Sequence, residues 1–282
     1  MKKYLRIDLV SIIVVLGIIL VSIPSAYAAP REPIFPPDPT QTAKRYALIV
    51  AIADYKDSTG IKDLVYPPAD ANEWYEQLKY TEDFDTIRVL GDDTSSYTSY
   101  YGLATEGNIK SSLAWLRDTA QPEDTVAIIM IGHGDKYAYM ECYFKAWDGN
   151  YLHDDEFTSY VADIASEKIF IFLDFCRGGG FLDDIQAMPN HQYVFASSAC
   201  AWDGKSFEGA PYYNGLWTWY YLKEYQRLSS IYNPIEPRQE DVYTGARQNL
   251  LADNIDEIAL PENQPILYDG NLNHKFLLGD SD

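Results

Sequence analysis

From residue 46 onward, short unbroken apolar runs alternate with longer stretches in which apolar positions recur every three to four residues. The runs lie at 46–53, 86–90, 125–131, 168–174, 192–197 and 265–268. Their length and continuity predict strands covered on both faces. Between them, residues 69–80 carry Ala71, Trp74, Tyr75 and Leu78 at helical spacing. Residues 105–120 carry Ile109, Leu113, Leu116 and Ala120 on one stripe behind Thr105, a residue suited to capping. Further helices are expected at 154–164, 215–225 and 241–252. Strand and helix alternating in this way predict an α/β fold: an open, mostly parallel six-stranded sheet with helices on both faces. Tyr137, Tyr139, Glu141 and Tyr143 alternate ahead of a turn at Asp148-Gly149-Asn150. That pattern predicts a small hairpin standing off the main sheet.

The N-terminal part reads differently. Lys2, Lys3 and Arg6 precede an apolar stretch at 9–23, and Ala26-Tyr27-Ala28 supplies small residues where a signal peptidase reads. Residues 1–28 are therefore expected to be a signal peptide and the protein to be secreted. Membrane association is expected only if this segment stays uncleaved, because fifteen apolar residues fall short of the roughly 30 Å hydrocarbon core. Residues 29–44 form a spacer with five prolines between 29 and 41, and 45–278 form the folded domain.

Composition narrows the function classes. With 47% hydrophobic residues and 24 tyrosines the chain is neither disordered nor fibrous. Its 42 acidic against 22 basic residues give a net charge of −20, which repels phosphate backbones and excludes nucleic acid as a partner. A peptide or protein substrate of basic character suits that charge, and so does a divalent cation. Three cysteines are present. Either Cys142 pairs with Cys200 and leaves Cys176 free, or all three remain thiols.

In an open parallel sheet, ligands bind beyond the carboxyl ends of the strands. The run at 126–131 leads straight into Gly132-His133-Gly134, and the run at 169–173 leads into Asp174-Phe175-Cys176-Arg177-Gly178. Neighbouring strands lie roughly 4.8 Å apart, so an imidazole and a thiol at their ends can face one substrate bond. A thiol needs a nearby base to become a nucleophile, and glycines let substrate backbone approach and free N–H groups for an oxyanion. Either residue alone is weak evidence, since a strand-end Cys is usually inert packing. The pair, each flanked by glycine, is a specific signal.

The pairing of apolar strand–His-Gly with apolar strand–Asp-x-Cys-x-Gly resembles the caspase–hemoglobinase superfamily of cysteine peptidases. The 43-residue His-to-Cys separation is similar to the caspase spacing. Tyr46-Ala47-Leu48-Ile49-Val50 resembles that group's opening strand, and Ala69-Asp70-Ala71 the start of its first helix. Phe195-Ala196-Ser197-Ser198, Gly215-Leu216-Trp217-Thr218 and Gln264-Pro265-Ile266-Leu267-Tyr268 resemble later elements.

The resemblance implies a Cys176–His133 dyad, with the N–H groups of Gly134 and Cys176 as oxyanion donors and a thioacyl-enzyme intermediate. In metacaspases the acids at the places of Asp174 and Asp70 line the pocket for the residue before the cut, which implies cleavage after Arg or Lys. The stretch Ala53-Asp54-Tyr55-Lys56-Asp57 lacks the Arg with which caspases select Asp. Legumain-like cleavage after Asn, a transpeptidase, and a catalytically silent binding protein are the alternatives. No cofactor is required. The resemblance to calcium-dependent metacaspases implies Asp148, Asp154, Asp155 and Asp183 as calcium ligands. Asp154 and Asp155 also suit a helix cap, and Asp70 a helix N-terminus.

Overall fold

The computed structural model describes residues 42–233, 235–272 and 275–279. The expected signal peptide, and the spacer up to residue 41, lie outside them. Among the described residues no helix is long and apolar enough to cross a membrane.

The central sheet is built from β1 (Arg45–Ala51), β2 (Thr86–Gly91), β3 (Gly102–Leu103), β4 (Thr125–Ile131), β8 (Lys168–Asp174), β9 (Val194–Ser198) and β12 (Ile266–Asp269). Their order across the sheet is β12-β9-β8-β4-β1-β2-β3. All neighbours are parallel except β12, which runs antiparallel to β9. The sheet thus has seven strands where the apolar runs predict six. The seventh, β3, is two residues long at the edge and too short to leave a pattern.

Side-chain parity divides the core in two. On one face Val126, Ile128 and Met130 of β4 and Ile169, Ile171 and Leu173 of β8 meet α2 (Glu106–Thr119), α3 (Asp154–Val161) and α4 (Gly180–Ala187). On the other face Ala127, Ile129, Ile131, Phe170 and Phe172 meet α1 (Pro67–Glu76), α5 (Leu216–Tyr232) and α6 (Gln239–Ala252). Successive residues of a strand point to opposite faces, so strands this apolar need helices on both sides. Thr105 caps α2 as its side chain predicts, accepting the Asn108 N–H at 3.2 Å.

The expected hairpin is a three-stranded antiparallel sheet of β5 (Gly134–Lys136), β6 (Cys142–Lys145) and β7 (Tyr151–His153). The alternating stretch 137–141 forms the turn between β5 and β6 instead of a strand. A last small ladder joins β10 (Glu208–Gly209) to β11 (Asn214–Gly215). Helix α4 has no counterpart in the predicted elements: its glycine-rich start at 178–180 reads as loop. All three cysteines are free thiols, so the Cys142–Cys200 bridge is not formed.

Trp74 of α1 is fully buried, with ring contacts to Phe172 at 4.8 Å, Phe170 at 5.8 Å and Tyr221 at 5.9 Å. It joins α1 to the sheet and to α5. Trp74→Ala is expected to lower unfolding stability by about 3–5 kcal/mol in urea titrations, the usual cost of an aromatic cavity. A loss below about 1 kcal/mol would contradict this packing.

Candidate active site

The last register pair between β4 and β8 is Ile131 with Asp174. His133 and Cys176 each lie two residues beyond it, so each continues the parity of Ile131 and Asp174 toward the α1 and α5 face. Both line one small cleft together with Asp70, Asp174, Ser206 and Glu208. Equal offsets from paired strands are the local reason why residues so far apart in sequence meet.

His133 is held at several points. Its Nε2 lies 2.7 Å from the Lys62 carbonyl oxygen. A carbonyl only accepts, so Nε2 carries the proton of the neutral ring and Nδ1 is left with its lone pair. Nδ1 has no hydrogen-bond partner among the described residues. Burial pulls the imidazole below its ordinary value, aided by the charges of Lys145 and Lys62 and opposed by the Lys62 carbonyl and Glu208.

The Cys176 thiol donates to the Ser206 carbonyl at 3.6 Å. Burial pushes this thiol up, Asp174 acts in the same sense, and the Arg177 charge opposes. Both shifts favour the neutral forms of the pair, thiol and imidazole. Cys142 and Cys200 are fully buried and shifted further, Cys142 to about 12, so Cys176 is the least buried and least shifted thiol of the three.

Two N–H groups are unspent beside the thiol. Lys145 N–H donates to the His133 carbonyl at 2.8 Å, which makes Gly134 and Phe144 a non-hydrogen-bonded pair of the β5–β6 ladder. The Gly134 N–H is thereby turned out of the ladder. The Cys176 N–H is likewise without a partner among the described residues. A Cβ at 134 would sit 2.2 Å from the Cys176 carbonyl oxygen and 2.4 Å from the Phe175 ring, so only glycine lets these two backbones approach.

Asp70 and Asp174 are only 1% and 3% exposed. Asp174 accepts from the Thr218 N–H at 3.0 Å, from the Thr218 hydroxyl at 2.8 Å and from the Ser206 hydroxyl. Asp70 accepts from Asn214 Nδ2 at 2.9 Å and from the Gly215 N–H at 3.0 Å. A Cβ at 215 would lie 2.5 Å from one Asp174 oxygen and 3.2 Å from one of Asp70, so the two carboxyls flank a single glycine. Glu208 accepts the N–H groups of Val65 and Tyr66, each at 3.0 Å. Among the described residues every donor to these three acids is uncharged. Burial and then the Asp174 charge hold Asp70 well above the usual carboxylate range; burial and Glu208 raise Asp174.

The four expected calcium ligands are not gathered into one group. Asp148 accepts the Glu106 N–H and an Asn150 amide N–H, and so serves the start of α2. Asp154 accepts the N–H groups of Cys142 and Asp155 at the start of α3. Burial, and then the charges of Asp154, Asp155, Glu141 and Asp183, push Asp184 up to about 6, so Asp154, Asp155 and Asp183 do share a neighbourhood. Among the described residues no three His, Cys, Asp or Glu side chains are placed to hold a metal ion. Sequence reasoning misses Ser206, Glu208 and the Lys62 carbonyl. A backbone carbonyl has no residue signature, and the segment holding Ser206 and Glu208 carries no period.

A family model of the caspase domain matches residues 44–241. The chain belongs to the caspase-domain family. Among solved structures it is similar to protein GSU0716 from Geobacter sulfurreducens, with 14% identity and a TM-score of 0.58. That alignment covers 80% of this chain and 92% of the other, and at this identity it speaks for the fold alone. No curated protein matches the sequence. For this caspase domain the family supports cysteine-peptidase chemistry on protein substrates, and the sheet with helices on both faces is the caspase-like sandwich.

With no substrate bound, alkylation of Cys176 by iodoacetamide is expected to rise with pH to a midpoint above that of a free thiol, because burial disfavours the thiolate. Peptide mapping of the label over a pH series measures it. A rate flat from about pH 5 to 8 would indicate a preformed thiolate–imidazolium pair instead.

Proposed function

We propose that the protein is an extracytoplasmic cysteine endopeptidase that cuts after basic residues, with Cys176 as nucleophile and His133 as proton carrier. In this reading the substrate carbonyl lies over the thiol with its oxygen toward the Gly134 and Cys176 N–H groups. The thiol proton passes to His133 Nδ1 as the sulfur–carbon bond forms. Collapse of the oxyanion breaks the carbon–nitrogen bond, and the same proton leaves on the amine. Water, deprotonated by Nδ1, then hydrolyses the thioester and returns the thiol. The Lys62 carbonyl steadies the imidazolium between these steps. No cofactor enters.

The observation that carries the specificity is the set of donors around Asp70, Asp174 and Glu208, all of them neutral. Buried carboxylates are costly without a cation, so the empty pocket lacks a positive partner that an Arg side chain supplies, bidentately if it reaches both aspartates. Export rests on the basic start, apolar stretch and Ala26-Tyr27-Ala28 of the N-terminus.

Wild-type protein is expected to cleave a fluorogenic peptide ending in Arg, and Cys176→Ala to leave no activity above background. Asp174→Asn is expected to lower kcat/KM on that peptide about 100-fold, while leaving an Asn-ended peptide within a few-fold. Equal losses on both peptides would contradict a charge-selecting pocket. If Cys176→Ala retains turnover, the peptidase reading fails; if the Asn peptide is the better substrate, the specificity fails.

The raised carboxyls add a pH signature. A guanidinium binds the ionised acids and lowers their pKa values, so KM for the Arg peptide is expected to fall as pH rises through the raised values of the empty pocket. KM for an uncharged residue at the same place is expected to stay flat. Initial rates from pH 4 to 8 measure both, and a KM for Arg that rises with pH would contradict the arrangement.

A further inference from the structure

The loop from Ala53 to Leu64, which follows β1, reaches His133 from two sides. Lys62 gives its carbonyl to Nε2. At the other end of the loop, Tyr55 is 2% exposed and its hydroxyl oxygen accepts the backbone N–H of His133 at 2.9 Å. The Tyr55 ring lies against the imidazole, centroids 5.3 Å apart and planes 30° apart. The loop is closed on itself, with Tyr55 N–H bonded to Asp63 at 3.0 Å and Leu64 N–H to the Ala53 carbonyl at 2.9 Å. It is also tied to the segment after β6, through Lys56 N–H and the Trp147 carbonyl at 3.2 Å.

His133 has left the ladder of β4, so its N–H has no strand partner. Without Tyr55 that N–H would be a part-buried donor with nothing to bond, and the ring would lose the surface it rests on. Tyr55 thus fixes both the backbone from which the imidazole springs and the tilt of its plane. The Lys62 bond then selects the tautomer. Since the two contacts come from one closed loop, they hold the ring as a unit. A Cβ at Gly132 would lie 2.9 Å from the Tyr55 oxygen, so the glycine before His133 leaves room for this contact.

We propose that Tyr55 is a positioning residue for His133, keeping Nδ1 free and aimed at the cleft while Nε2–H stays on the Lys62 carbonyl. The proposal rests on the peptidase reading for its kinetic consequence, but its geometric consequence stands apart from turnover.

Tyr55→Phe keeps the ring and removes only the oxygen. With an Arg-ended fluorogenic peptide, kcat is expected to fall about 10- to 100-fold with KM within about twofold, since a displaced base costs rate and not substrate binding. In 15N spectra of the histidine rings, wild-type His133 is expected to show the Nε2–H tautomer and Tyr55→Phe a mixture with Nδ1–H. A merely structural tyrosine would lower the melting temperature and leave kcat and the ring spectrum unchanged, and that result overturns the proposal. If Tyr55→Phe does not fold, 3-fluorotyrosine at position 55 has nearly the same shape and a poorer acceptor oxygen. It is expected to shift kcat and tautomer in the same directions by smaller amounts, and no shift in either overturns the proposal. Wild-type protein that cleaves no peptide, yet loses the Nε2–H tautomer on Tyr55→Phe, would sink the peptidase reading and support the positioning role.

Discussion

The register between β4 and β8 is the constraint on which the rest depends. Both strands are buried on two faces, and their pairing ends at Ile131 and Asp174. A slip of one residue would turn every side chain of one strand to the opposite face, placing its large apolar residues against the wrong helices. The same slip would send His133 and Cys176 to different sides of the sheet. Core packing and the meeting of His133 and Cys176 at one cleft are therefore specified by one set of contacts. The two side chains need no register of their own, because they sit two positions past strands that cannot shift.

What lies beyond the strand ends is supported by polar contacts between distant segments. Ser206 touches both strand-end groups, its carbonyl on the Cys176 thiol and its hydroxyl on Asp174. Asp174 also draws on Thr218, in the first turn of α5, where free N–H groups and the helix dipole favour an anion. Glu208 in turn holds the chain at Val65 and Tyr66 just before α1. Neutral donors hold these acids in place, and the burial that raises Asp70 and Asp174 is what a basic side chain would offset in the proposed reading.

The strands were legible because they are continuous apolar runs, and the His133–Cys176 pairing because the β4 run leads into Gly132-His133-Gly134 and the β8 run into Asp174-Phe175-Cys176-Arg177-Gly178. Asp174 and Asp70 were legible as pocket acids only through resemblance, although both do line the cleft. Two elements escaped: β3, two residues long, and α4, which opens on the last of three glycines although Phe181, Leu182 and Ile185 form its buried face. The tyrosine alternation at 137–143 pointed to the hairpin but not to its bounds, because Tyr143 lies in β6 while Tyr137 and Tyr139 lie in the exposed turn before it. Most of the second layer of the site is invisible in principle. Lys62 acts through its carbonyl and Gly134 through its N–H, and backbone groups look alike at every residue.

The central claim is that one thiol, one imidazole and an acidic pocket at a single sheet edge act together on a basic residue. It is tested most directly by treating the full chain with a peptidyl-Arg chloromethyl ketone and solving the crystal structure of the product. The account predicts one adduct, on Cys176, with the ketone oxygen at the Gly134 and Cys176 N–H groups and the guanidinium against Asp70 and Asp174. An adduct on Cys142 or Cys200, or a guanidinium pointing away from both aspartates, would contradict it.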